Sequence, residues 1–307
     1  MSGSRQRGVA LLSALLVVAI AVVLVAALLD MGEASRSRTR NALRAEQTWQ
    51  LQIGLEGWAA AALARDEAQA TGVDGADDGW LRALPPISVP GGQLTGRMRD
   101  RSGCFNLNQL VVNDVVNATA VGRFQRLLAA LKLDPGIADR AVDWMDSDAI
   151  PGNGGAEDST YLQRQPAYLT AGRAFTHVSE LRLLAGVDAD AYAALAPAVC
   201  ATPSEGLINL NFASKALWMS LDSRITESVA SQMWREGRAR YLNLDEVSVA
   251  LSQLGVELVN LQGCATFSRY MVAEAEIVSD GIPFAYSSLM ERADGGIRVL
   301  ARVRGRL

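Results

Sequence analysis

Residues 1–8 (MSGSRQRG) and 9–29 (VALLSALLVVAIAVVLVAALL) decide the architecture of this chain. The first segment is short, polar and basic, and it ends in Gly8. The second has 21 residues, with Ser13 as its only polar side chain. At about 1.5 Å rise per residue, such a helix is roughly 30 Å long and can cross a bilayer. No small-residue cleavage site lies after the apolar run, as a secretory signal needs. The chain instead passes through Asp30 and Glu33 into polar sequence that can continue the helix. Charge does not orient the span. Arg5 and Arg7 precede it, but Arg36, Arg38, Arg40 and Arg44 come after it, and counting basic residues alone points the wrong end inward.

Composition fits a membrane-anchored, exported domain. Half of the 307 residues are hydrophobic, a share inflated by the apolar run. The rest of the chain, beyond the run, is long enough for one large domain or two small ones. Net charge is −4, and loss of Arg5 and Arg7 with the leader would take it to −6. An acidic balance argues against a nucleic-acid partner. The three cysteines, Cys104, Cys200 and Cys264, suit an oxidising compartment, with one bridge and one thiol left over.

Beyond the anchor, residues 36–65 carry Leu43, Trp49, Leu51, Leu55, Trp58 and Leu63 at mixed spacings of three and four, which predicts a helix with one packed face. Joined to the apolar run it makes one helix of about 55 residues. Trp49, Leu51, Leu55 and Trp58 form an aromatic and aliphatic stripe suited to anchoring a partner helix. Residues 71–79 and 85–92 are turn-rich, and residues 93–100 read as a strand. A phrase then occurs twice: FNLNQL at 105–110 and INLNFA at 208–213, each a short strand ending in an Asn that can cap a helix after it. Helical sequence comes after both. Residues 175–195 and 241–258 share a cap, a Glu-containing turn, an apolar run and a Gly-Val hinge, a pattern similar to helix-hairpin-helix or SAM-like units. Residues 268–279, 282–292 and 297–304 alternate apolar and polar side chains around a turn, predicting a three-stranded antiparallel meander with one buried face.

The densest polar group lies in residues 143–161, DWMDSDAIPGNGGAEDSTY, with Asp143, Asp146, Asp148, Asn153, Glu157 and Asp158 inside 16 residues. Hard oxygen ligands on a flexible loop are what calcium takes, and clustered carboxylates without a cation repel one another. A solvated acidic loop is the commoner use of such sequence. Pro151 and Gly152 fall where an EF-hand loop needs a ligand and an early glycine, so it is not an EF-hand. The only histidine, His177, precedes a helical segment and reads as a surface or cap residue. One His cannot build a zinc site with scattered cysteines. Neither GxGxxG nor a P-loop pattern occurs.

The basic leader ending in Gly before an apolar helix resembles the class III leaders of type IV pilins and type II secretion pseudopilins. With the FNLN and INLN phrases, the acidic loop and the chain length, the whole sequence resembles the general secretion pathway protein K family, the large minor pseudopilins. The resemblance implies cleavage by a prepilin peptidase between Gly8 and Val9, with methylation of Val9. It implies one or two structural calcium ions in the acidic loop. Most pilins carry Glu at the fifth residue of the mature chain. Here that place is Ser13, a departure that matches the K family and implies a position at the filament tip, where no neighbouring amine needs a counter-charge. Cys104 lies at the entry to the helical insert and Cys200 before its exit. An insert must leave and return at nearby points, which favours Cys104–Cys200, with Cys264 as an alternative partner for either.

The expected fold class is α+β. A pilin-like fold, with a long N-terminal transmembrane helix packed on an antiparallel sheet, is interrupted by a large α-helical insertion holding SAM-like units. The expected divisions are a leader at 1–8, a transmembrane half-helix at 9–29 and its periplasmic continuation at 30–65. A loop with the first strand comes next at 66–108, then the inserted domain at 109–203 and the remaining pilin domain at 204–307. The expected role is non-enzymatic: a subunit in the Gram-negative inner membrane, globular part in the periplasm. It would cap and initiate the pseudopilus with minor pseudopilins I and J, with H and the major pseudopilin G nearby. A tip minor pilin of a type IV pilus and a membrane-anchored metal-dependent hydrolase are the alternatives.

Overall fold

The structure, a computed structural model, describes residues 3–69, 72–294 and 296–305, with side chains of the first helix described from 11 to 67. The chain divides into two units, residues 1–53 and 54–307. Helix α1 (Gly3–Gln69) contributes to both. In the first unit it is long and apolar enough to cross a membrane, and its apolar side chains from Leu11 to Leu29 are exposed. Ser13 is also exposed there. The predicted Gly8–Val9 junction falls within α1, but its side chains lie outside the described ones.

The second unit continues with strands β1 (Leu84–Val89), β2 (Gly92–Asp100), β3 (Phe105–Asn106), β4 (Val111–Val112) and β5 (Val115–Val116). Helices α2 (Ala118–Ala130), α3 (Ile137–Met145), α4 (Asp158–Tyr161) and α5 (Ala189–Leu195) come next, then β6 (Val199–Cys200) and β7 (Ile208–Asn209). Helices α6 (Lys215–Leu221), α7 (Glu227–Trp234) and α8 (Leu244–Gln253) precede β8 (Cys264–Ala265), β9 (Tyr270–Ser279), β10 (Ile282–Ala293) and β11 (Gly296–Arg304). The main sheet has the order β1-β2-β9-β10-β11, antiparallel throughout. Strands β2 and β9 are neighbours, so everything between them is an insertion that leaves and re-enters at one point.

The end of α1 lies on one face of this sheet. Ala59 and Leu63 join Trp80, Met98, Met271, Ala273 and Met290 in one apolar cluster. Glu56 is buried beneath Arg302, which donates to it at 2.7 and 2.8 Å, and Ser288 Oγ donates at 2.5 Å. Burial of this carboxylate is tolerable because three donors replace its water. Arg302 reaches the helix through a register shift between Leu289 and Met290, which leaves Leu300 unmatched. The strict alternation predicted for 297–304 therefore breaks, and Val299 and Arg302 serve the same face.

Other expectations also change. Residues 85–92 do not form a plain loop: β1 pairs with β2, and its Pro85 and Pro86 suit the sheet edge they occupy. Strand β9 of the meander is covered on both faces, because Tyr270, Val272 and Glu274 are buried as well as Met271, Ala273 and Ala275, whereas β11 at the edge has no buried residue. The stripe on α1 is partly covered within the chain. Leu55 is 2% exposed, Trp49, Leu51 and Trp58 are half-buried, and Trp58 packs against the sheet-facing cluster. Leu55 and Trp58, expected on a partner surface, instead serve the domain's own core.

The two Asn phrases do equivalent work. Strand β3 pairs in parallel with β6, and β7 pairs in parallel with β8. Asn108 accepts from Phe175 N at 2.7 Å and donates to the carbonyls of Phe175 and Thr202. Asn211 accepts from Tyr241 N at 2.7 Å and donates to Tyr241, Thr266 and Asp74. Each Asn thus satisfies buried backbone of a loop far away in sequence. The helices between are short, four to thirteen residues, rather than long helical runs. A single apolar core runs from Phe105, Phe124 and Trp144 to Trp218, Tyr241 and Cys264, crossing the 203/204 position.

Cys104 and Cys200 are disulfide-bonded, with Cα atoms 5.8 Å apart, where the chain enters and leaves the first helical portion. Cys264 is a buried free thiol on β8. His177 caps the 3-10 turn Val178–Leu183, accepting from Ser179 N while Glu180 closes the reciprocal bond.

Candidate functional site

Helix α3 ends where the acidic loop begins. Its last turn is buried through Met145, and Asp143 points inward beside Trp144. The Asp146 amide still donates to Val142, but Asp146 itself is extended. Pro151 cannot continue a helix. The loop then curls back so that Gly152 N donates to both oxygens of Asp143, at 3.2 and 3.1 Å. Gly155 N donates to Gly152 O at 3.0 Å, and Gly154 between them takes φ +90°. A β-carbon on Gly155 would stand 1.9 Å from Asp143 Oδ2, so the glycine run exists to let backbone close over that carboxylate.

The curl delivers Glu157 beneath the loop. Glu157 is 3% exposed, and both its carboxylate oxygens lack any hydrogen-bond donor. Asp146 Oδ1 is buried and orphaned in the same way. One oxygen from each of Asp146, Asp148 and Glu157 lies within 4.8 Å of the others. Burial first, and then the charges of Asp143, Asp146, Asp148 and Asp158, push Glu157 up to about 7. Burial, Asp148, Asp143 and Asp114 push Asp146 up to about 6. Asp143 is also raised, chiefly by burial, with the Gly152 and Ala156 amides working against the shift.

Three of the six expected ligands are therefore gathered: Asp146, Asp148 and Glu157. Asp143 is committed to Gly152, Asp158 Oδ1 accepts from Thr170 N and Oγ1 at 2.8 Å each, and Asn153 is exposed. Asp158 and Asp143 instead fix the loop's two ends. A buried carboxylate with no donor, two neighbouring carboxylates and only oxygen ligands is a donor set fitting a hard divalent cation. Sequence spacing finds the segment but misses two contributors. Asp114 lies far upstream, and Ser147 is not itself acidic. Ser147 donates to Asp114 through N at 3.2 Å and through Oγ at 2.6 Å.

A second acidic group shows the opposite arrangement. Asp66, Asp74 and Asp78 also have oxygens within 4.8 Å of one another. Here Arg292 and Arg240 answer Asp74 and Asp78 at 2.7 Å each, and Trp80 Nε1 and Ser268 N complete Asp74. That group is a structural ion-pair network tying the chain near 74–80 to β10 and to residues 240 and 268.

Comparisons with known proteins agree with the fold. A family model described as type II secretion system (T2SS), protein K, matches residues 103–204, the portion holding the disulfide and the acidic loop. Type II secretion system protein K of Pseudomonas aeruginosa is 37% identical, over 98% of this chain and 93% of its own length. The proteins of that description from Aeromonas hydrophila and Klebsiella pneumoniae are each 30% identical over 98% of this chain, and 98% and 97% of theirs. Among solved structures, the crystal structure of the GspK-GspI-GspJ complex from enterotoxigenic Escherichia coli contains a chain of the same fold. Its TM-score is 0.74 at 24% identity, covering 88% of this chain and 100% of that one. The protein is thus a structural component of a secretion system rather than an enzyme, and among the described residues one apolar helix fits a single-pass anchor. By sequence along nearly its whole length, the chain belongs to the type II secretion system protein K family.

Proposed function

We propose that this chain is the minor pseudopilin that caps the type II secretion pseudopilus and starts its assembly together with minor pseudopilins I and J. The observation that carries this reading is the fold shared with the GspK-GspI-GspJ complex, alongside relatives matched end to end. A prepilin peptidase would cut after Gly8 and leave Val9 methylated, with the globular part in the periplasm and the anchor in the inner membrane. The sheet with the end of α1 corresponds to a pilin-like body. The helical insertion between β2 and β9, with its two Asn-anchored SAM-like portions, is the bulk that would block subunit addition above it. Ser13 in place of a glutamate supports the same position, because an uppermost subunit has no neighbour's amine to neutralise. Subunits H and G would lie below. The half-buried Trp49 and Leu51 are the parts of the predicted stripe that still offer surface to a neighbouring helix.

Asp146, Asp148 and Glu157 would hold a calcium ion, with Asp143 and Asp158 securing the loop around it. Its role would be to stabilise the insertion, since it satisfies three mutually repelling carboxylates.

The deciding experiment is cross-linking and pull-down of the full-length chain from membranes expressing all pseudopilins. Recovery with I and J in the absence of G, and at the end of assembled filaments, is the expected result. Finding the chain along the shaft at a stoichiometry like the major subunit's rejects the cap.

A further inference from the structure

The hairpin β4–β5 turns through Asn113 and Asp114, both left-handed, with φ 52° and 64°. A two-residue turn with both residues left-handed is ordinarily Asn-Gly, because glycine adopts that conformation without strain. Here the second position carries a carboxylate instead. That carboxylate receives both donors of Ser147, N–H at 3.2 Å and O–H at 2.6 Å. Ser147 is the single residue between Asp146 and Asp148, two of the three gathered carboxylates. The third, Glu157, is buried with both oxygens unpartnered, which independently marks the cluster as aimed at a ligand.

We propose that Asp114 is a positioning residue for the cation site. By clamping Ser147, it fixes the backbone between Asp146 and Asp148 and so sets the spacing of their carboxylates for a divalent cation. The proposal rests on the calcium reading above. Its physical basis is preorganisation: Asp146 is half-buried with its amide on Val142, but Asp148 stands on the exposed stretch after it, held otherwise only by accepting from Ile150 N at 2.8 Å, and mutual repulsion drives the two carboxylates apart. A hairpin with its own commitments to the core, Val111 being buried, supplies a fixed point between the loop's two anchored ends. The clamp costs a left-handed aspartate and a further negative charge beside the cluster.

The test is calcium titration by calorimetry and terbium luminescence on the full chain in detergent. It compares the wild type with Asp114→Gly, Ser147→Ala, their double variant and Asp146→Ala. Glycine suits the turn, so Asp114→Gly should keep or raise the melting temperature in chelator while weakening calcium about tenfold. Ser147→Ala should weaken it severalfold, and the double variant no more than Asp114→Gly. At saturation the terbium lifetime should be unchanged, because a positioning residue does not enter the ion's coordination shell. Unchanged affinity in Asp114→Gly overturns the proposal while leaving the cation site standing. A lifetime shift equal to one added water makes Asp114 a ligand and overturns it likewise. A wild type that binds no calcium, indistinguishable from Asp146→Ala, rejects the cation reading itself and this proposal with it.

Discussion

Gly155 lies against Asp143 so closely that a β-carbon there would meet Oδ2 at 1.9 Å and Cγ at 2.6 Å. The Asp143 carboxylate is also held by Gly152, where a β-carbon would stand 3.0 Å from Oδ1. Neither approach can be relieved by a flexible tip, because Asp143 is buried at the end of α3. Gly155→Ala should therefore push the loop off Asp143 and carry Glu157 out of register with Asp146 and Asp148. The expected loss is about 1–3 kcal/mol, typical of overpacking, together with loss of calcium sensitivity. Chemical denaturation with and without calcium measures both. A variant with wild-type calcium response would show that the loop's closure does not matter to the site.

Glu157 offers a sharper test because its effect changes sign with calcium. In chelator its buried, donorless carboxylate opposes folding, so Glu157→Gln should raise the melting temperature. With calcium present, the wild type gains RT ln(1 + [L]/Kd), about 2.7 kcal/mol at 100 Kd. The variant should gain little of that. Differential scanning in the two conditions should thus show the two melting curves exchange order. If Glu157→Gln melts lower in both, Glu157 is not an unpaired charge awaiting a cation.

The bond between Cys104 and Cys200 closes a separation of 96 residues. In the chain-entropy model, a loop of that size contributes about 4–5 kcal/mol by restricting the unfolded chain. Reduction, or Cys104→Ala with Cys200→Ala, should lower the melting temperature by several degrees without altering the sheet. Cys104 and Cys200 are themselves buried, so after reduction a maleimide should reach them only slowly while the chain stays folded. Cys264 should stay unlabelled until denaturant is added, since it is buried and its thiol is pushed up to about 11. Rapid labelling of Cys264 in the folded chain would contradict its burial.

Much of this arrangement is legible in the residues. The apolar run, the meander strands and the repeated Asn phrase all have local signatures: uninterrupted hydrophobicity, alternation, and a recurring Asn after a short strand, although Asn108 and Asn211 hold distant loops and the caps of α2 and α6 are Asn117 and Ser214. The illegible part is set by contacts far apart in sequence. Strand β1 contains two prolines and counts as a strand only because β2 lies beside it. Leu55 resembles a partner contact because its burial depends on Gly96, on another element. Likewise, the acidic loop announces itself by composition, but which carboxylates converge is decided by the glycines that fold it over Asp143. Asp114 carries no signal at all, since its tie to the loop is through Ser147.

Asp100, at the point where β2 gives way to the insertion, supplies a pH signature remote from the cation site. Although the residue as a whole is only partly buried, its carboxylate is enclosed by Ser102 N at 3.0 Å, Ser268 Oγ at 2.6 Å and Gly103 N. Desolvation outweighs these three donors, and with Asp74 nearby it pushes Asp100 up to about 6 from an ordinary 3.8. The folded state then holds the proton more tightly than the unfolded chain between those two values. Stability therefore falls with rising pH in that window: the contribution is complete below about 4 and lost by about 6. Asp100→Asn removes the ionisation and should erase this slope. The measurement is the urea midpoint of wild type and variant at several pH values, in chelator, read as the difference between the two so that Glu157 and Asp146 cancel. Their difference should change steadily between about pH 4 and 6 and stay flat above. A carboxyl carbon titration of Asp100 centred near its ordinary value, or a flat difference across the window, would show that its three donors, not its desolvation, govern the proton.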